Sequence, residues 1–172
     1  VIASKPAPSL EYLNSVFEYK DGDLYNKASR NSRALAGTLA GSRTSLYASV
    51  CIEGQVYGIH RIIFLMCHGY MPDAIDHING DKMDNRIENL RPATLSQNQH
   101  NRATSKSNKS GVKGVSWVQK YSKWYACIRI NGKNKNLGMF DKLESAKEFI
   151  ELVREMHHGN FTNHGTFKEN IS

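Results

Sequence analysis

Asp76 and His77 stand next to each other, a hard oxygen ligand beside a side chain that titrates near neutral pH. On an extended strand neighbouring side chains leave opposite faces. One can therefore hold a metal ion while the other works on a water molecule. Asn79-Gly80 and Asp84-Asn85 follow, and both pairs are turn chemistry that returns the chain to a second short strand near residues 87–91. Thr94-x-x-Gln97 reads as a capping box that starts a helix with Asn98 in its first turns. The product is a β-β-α unit around an oxygen-rich cleft. Cys51, Cys67 and Cys127 are isolated and read as small apolar fillers. No Cys-x-x-Cys pair exists, so neither a zinc ribbon nor a redox dithiol is supported.

Elements on both sides must position this cluster. Ahead of it, Ser9 can cap a short helix with Leu10, Leu13, Val16 and Phe17 on one face. Asp21-Gly22 is a turn between Tyr19 and Leu24-Tyr25. Residues 46–52 and 55–59 read as a hairpin about Glu53-Gly54, and 61–68 as a helix ended by Gly69 and Pro72. Residues 27–45 are basic, rich in Gly, Ser and Ala, and unassigned.

Behind it, residues 114–119, 124–130 and 133–137 read as strands, with Asn131-Gly132 as a hairpin turn. Asp141-x-x-Glu144 resembles a capping box, and Leu143, Ala146, Phe149, Ile150, Val153 and Met156 repeat at helical spacing. That helix can cover Trp124, Ala126 and Ile128, leaving Tyr125, Cys127 and Arg129 on the outer face of the sheet.

The chain has 172 residues and a net charge of +7, from 23 Lys+Arg against 16 Asp+Glu. That length suits one ordinary domain or two small ones. The longest apolar run, residues 62–67, is far short of the ~20 residues that span a bilayer. The first eight residues hold no apolar leader, so the expected compartment is the cytoplasm. Charge is uneven: residues 1–104 carry 11 Lys+Arg and 10 Asp+Glu, whereas 105–172 carry 12 and 6. No acid occurs from Ala93 to Phe140, and a field of one sign attracts a polyanion. Residues 102–110 are polar and basic and read as a linker.

The order Asp-His-x-x-Gly-x-x-x-Asp-Asn-Arg-x-Glu-Asn-Leu-Arg from Asp76 to Arg91, then Gln97-Asn98 and Asn101, resembles the HNH nuclease motif. Phage and group I intron homing endonucleases are the nearest group, and His60-Arg61 also fits it. The resemblance covers roughly residues 60–101. It implies that His77 is the general base, that Asp76 binds a divalent cation, and that Asn89 is the middle residue holding the His77 segment. It makes Asn98 the second metal ligand, where other HNH enzymes have His, with His100 as an outside candidate. A carboxylate and an amide oxygen suit Mg²⁺ or Mn²⁺. The implied products carry a 5′-phosphate and a 3′-hydroxyl.

Gly111-Val112-Lys113-Gly114-Val115-Ser116-Trp117, Lys123 to Arg129, Leu137-Gly138-Met139-Phe140-Asp141 and Ser145-Ala146 resemble an Apetala-type (ethylene-response-factor) DNA-binding domain over about residues 109–165. Ser116 and Val118 stand where plant members have Arg, so base specificity does not transfer.

The expectation is an α+β chain with an HNH domain at 1–101 (β-β-α metal core about 74–101) and a basic linker at 102–110. A three-stranded antiparallel sheet packed on one helix follows at 111–165. The expected function is a metal-dependent, site-specific endonuclease of homing type, phage-encoded and acting on double-stranded DNA in a bacterial host. No membrane and no obligate protein partner are expected. The alternative is a non-catalytic DNA-binding regulator with a relic HNH fold. Lys113, Lys120, Lys123, Tyr125 and Arg129 are the expected DNA contacts, with Arg129 best placed for guanine. Arg61 joins them from the HNH region. Lys27, Arg30, Arg33 and Arg43 are expected to lie against phosphate.

Overall fold

The computed structural model describes residues 7–44, 47–105 and 107–165. The chain divides into two compact units, Val1–Pro92 and Ala93–Ser172.

In the first unit, Ser9 caps α1 (Leu10–Val16) by accepting from Tyr12 N, as its position predicts. Asp21-Gly22 then turns the antiparallel ribbon of β1 (Phe17–Lys20) and β2 (Asp23–Asn26). β3 (Ser42–Arg43), β4 (Ala48–Ile52) and β5 (Gln55–Gly58) form a three-stranded antiparallel sheet. Leu46, the expected hairpin start, lies outside the described residues.

α2 (Ile59–His68) is the core element: Ile59, Ile62, Ile63 and Phe64 have no exposed surface. Leu13, Phe17, Leu24, Val50, Ile52, Ile75 and Leu90 complete the same apolar cluster. β6 (Ala74–His77) follows, buried at all four residues, and pairs with β7 (Leu90–Ala93). The second strand starts later than its sequence suggests, because residues Ile87–Asn89 form a 3₁₀ turn first.

The second unit opens with α3 (Leu95–His100), and the Thr94/Gln97 capping box is present in both directions. Residues 102–110 hold no described helix or strand, and Thr104 N donates to Gly165 O at 3.1 Å. β8 (Val115–Val118), β9 (Lys123–Ile130) and β10 (Lys133–Phe140) make an antiparallel sheet in the order β10-β9-β8. Asn131 and Gly132 both take positive φ (50° and 74°), as their two-residue hairpin requires.

α4 (Leu143–His158) covers the Ala126 and Ile128 face of that sheet. Two expectations fail here. Asp141 does not cap α4, since the helix starts one residue late with Lys142 at the cap, and the Asp141 carboxylate pairs with Lys123 at 3.1 Å. The buried stripe is Ala146, Ile150 and Arg154, whereas Phe149 and Met156 are exposed. Arg154 turns inward because its guanidinium has partners there: Lys113 O at 2.7 Å and His164 Nδ1 at 3.1 Å. The cysteines are not core fillers either: Cys51 and Cys67 are exposed and Cys127 is half-buried. No helix among the described residues is long and apolar enough to cross a membrane.

Candidate active site

β6 brings Asp76 and His77 into the fold together, at 2 % and 7 % exposure. Such burial of a carboxylate demands compensation. Arg91, on β7, supplies it: its Nε lies 2.8 Å and its Nη2 2.6 Å from Asp76 Oδ2.

His77 is held by Asn85. Asn85 Nδ2 donates to Met83 O (3.3 Å), which turns Asn85 Oδ1 toward His77 Nε2 at 3.2 Å. An amide oxygen accepts only, so Nε2 carries the ring proton and the basic lone pair is on Nδ1. Burial lowers the His77 pKa, against the Asn85 hydrogen bond and the Asp76, Asp81 and Asp84 carboxylates, which raise it. The imidazole is therefore neutral near pH 7, the form a general base needs.

Asn89 ties the loop between the two strands. Its Nδ2 donates to Asn79 Oδ1 (3.0 Å) and Asp84 O (2.8 Å), and its Oδ1 accepts from Asn79 N (3.0 Å). Its carbonyl accepts from Ile78 N at 2.9 Å, one residue past His77. Asp84 is itself fixed by Arg86 (2.7 Å), which holds its carboxyl below the usual range. Tyr19 OH accepts from Ile87 N at 3.0 Å, anchoring the loop to β1.

Asn98 lies in the first turn of α3, half-buried, and belongs to the second unit. His100 ends that helix and stacks on His158, with ring centroids 3.7 Å apart and planes within 4°. Among the described residues no group of three or more His, Cys, Asp or Glu side chains could hold a metal ion. Asp76 offers a hard carboxylate oxygen, the donor type that fits Mg²⁺ or Mn²⁺, which retain several waters.

Most basic residues expected on DNA have partners inside the chain. Lys113 Nζ donates to His100 O (2.8 Å), Arg102 O (2.5 Å) and Asn163 O (3.1 Å). Arg61 donates to Pro72 O, and Arg30 to Asn26 Oδ1 and Cys51 O. Arg43 pairs with Asp23, and Lys27 donates to Asn14 O. Arg33, Lys120 and Arg129 are exposed, and Tyr125 is half-buried on the outer face of the sheet.

Sequence reasoning passed over Asn85 and Arg91 as site residues. Asn85 was legible only as turn chemistry, and Arg91 only as a motif letter. The available signal was the strand pairing: a buried acid on β6 asks for a cation on its partner strand.

The family model described as HNH endonuclease matches residues 57–100. The chain is 37% identical over 100 residues to Protein 3.8 of Escherichia phage T7, covering 57% of this chain and 83% of that protein. It is 35% identical over 106 residues to an uncharacterized HNH endonuclease of Acanthamoeba polyphaga mimivirus, covering 60% of this chain and about half (54%) of that relative. No solved structure matches. The motif that surrounds Asp76 and His77 thus falls inside the matched region: the chain carries an HNH endonuclease domain there and belongs to the same family as Protein 3.8 of Escherichia phage T7.

Proposed function

We propose that the protein is a metal-dependent endonuclease of homing type that hydrolyses phosphodiesters in double-stranded DNA. The observation that carries this reading is the buried Asp76-His77 pair, with the imidazole oriented by Asn85 so that Nδ1 is the basic nitrogen.

His77 Nδ1 takes a proton from water as the water oxygen attacks phosphorus. The bond from phosphorus to the 3′ oxygen breaks and that oxygen takes a proton from solvent, leaving a 5′-phosphate and a 3′-hydroxyl. Asp76 and Asn98 would hold the Mg²⁺ or Mn²⁺ ion, whose charge offsets that developing on the phosphate and the leaving oxygen. Asn89 keeps the loop that follows His77 closed. Arg91 holds the Asp76 carboxylate in place.

The outer face of the β8–β10 sheet, with Tyr125 and the exposed Arg129, is the proposed duplex-binding surface, helped by Lys120 and Lys123. The arrangement of three strands on one helix, and the absence of acids from Ala93 to Phe140, support it. Arg33 is the residue of the first-unit loop left to meet phosphate with its charge outward. The setting proposed is an infected bacterial cell.

The test is supercoiled DNA carrying host genomic fragments, incubated in Mg²⁺, Mn²⁺ or EDTA. Open circles form only with the cation, and DNA ligase reseals them, because the ends are 5′-phosphate and 3′-hydroxyl. The Arg91–Asp76 ion pair favours one second reading, a DNA-binding regulator whose carboxylate is already neutralised. Metal-independent retardation of DNA without any cleavage would establish that reading instead.

A further inference from the structure

We propose that His60 is a positioning residue for His77: its ring, seated in the space left by Gly58, packs against the His77 imidazole and fixes its direction. This rests on the nuclease reading above. The two ring centroids are 5.2 Å apart with planes tilted by 60°. His60 sits in the first turn of α2, between Ile59 and the Ile62-Ile63 pair, which have no exposed surface. The ring is thus carried by the most firmly packed helix of its unit.

Gly58 shows that the seat is built. Its backbone (φ −64°, ψ 134°) suits any L residue, so the turn does not require glycine. The ring requires it: a Cβ at Gly58 would lie 2.6 Å from His60 Cε1 and 2.9 Å from Nδ1. The Tyr47 ring is also a neighbour of His60, with centroids 6.3 Å apart, and Lys82 Nζ lies 4.7 Å over the Tyr47 ring. His60 thus has two ring neighbours, Tyr47 and His77.

The chemistry of His60 matches packing and not phosphate binding. Burial, then the charges of His77 and Arg61, lower its pKa to about 4, so it is an uncharged ring at neutral pH. A misplacement of about 1 Å in a reacting group costs on the order of 100-fold in rate. A base whose ring can swing loses that much without any change in how DNA binds.

The test compares His60→Ala, His60→Phe and Gly58→Ala in the full chain. Cleavage is read as kcat and KM separately. The His77 Cε1–H resonance is read by ¹H–¹³C correlation and assigned through its loss in His77→Ala. His60→Ala and Gly58→Ala are expected to lower kcat about 10- to 100-fold, with KM within about threefold. Both should move the His77 resonance. His60→Phe, which keeps a ring in the seat, should recover activity to within about fivefold of wild type.

The proposal is overturned if His60→Phe is as slow as His60→Ala, or if KM rises in place of a fall in kcat, since the imidazole nitrogens would then be touching DNA. An unmoved His77 resonance in His60→Ala also overturns it. If His60→Ala fails to fold, the Gly58→Ala and His60→Phe pair decides on the same readings. If the wild type cuts no DNA with either cation, the nuclease reading fails, and the resonance alone still decides the packing claim.

Discussion

The Arg91 guanidinium meets the Asp76 carboxylate across the β6–β7 ribbon, with Nε 2.8 Å and Nη2 2.6 Å from the same oxygen. The carboxylate proposed to bind a cation is therefore also held by a protein cation. Its side chain is 3 % exposed, so the pair is a buried one. Removing one member of such a pair is costly, because the other charge stays behind.

Arg91→Leu should accordingly lower stability by about 3–5 kcal/mol. Mn²⁺ should recover more of the melting temperature in this variant than it adds to wild type, since a bound ion stabilises by mass action and here replaces a lost positive charge. Thermal melts with and without Mn²⁺ test this. An equal shift in both proteins would contradict a cation at Asp76.

Asn89→Ala deletes two donated and one accepted side-chain hydrogen bond and leaves Asn79 N without the oxygen it donates to. The expected loss is about 2–4 kcal/mol, from a buried polar network broken on one side. Asn89→Asp should recover only part of it, because a carboxylate can accept from Asn79 N but cannot donate. Urea midpoints for the two variants check the order.

Lys113 acts within the second unit. α3 is six residues long with none buried, too short to persist alone. Lys113 holds its C-terminal end through His100 O and Arg102 O while also binding Asn163 O. Lys113→Met should increase hydrogen exchange at α3 amides and leave the salt dependence of DNA binding unchanged. Arg129→Ala should lower that slope by about one. A lowered slope in Lys113→Met would mean that the lysine meets phosphate after all.

Stability should fall as pH drops from about 6.5 toward 4. His60 and His158 are both held at about 4 by burial, against an ordinary value of 6.5. Between those values the unfolded chain binds protons that the folded chain refuses, so acid favours unfolding. Above 6.5 neither group contributes any slope. His60→Phe should flatten the decline in denaturation midpoint across that window.

Much of this was legible in the sequence. Periodicity placed α1, α2 and the three-stranded sheet, and Thr94-x-x-Gln97 marked the start of α3, because these signals are local. The Asp76-His77 pair and Asn89 were legible by type and order. Their partners were not, because Asn85, Arg91 and Gly58 matter only through pairings that the fold makes. Arg154 misled for the same reason: the helical pattern has no term for an arginine whose carbonyl partner, on Lys113, arrives from 41 residues away. Net charge does not say whether a cation faces solvent or donates to a backbone carbonyl, as Lys113, Arg30 and Arg61 do.

The most direct test of the account is a single-turnover nicking assay in Mn²⁺ with wild type and His77→Ala side by side, and DNA binding measured on the same samples. The account predicts that the variant binds like wild type and cuts about 10²- to 10⁴-fold more slowly, the usual contribution of a general base. Equal cutting by His77→Ala would contradict the assignment of His77 as that base.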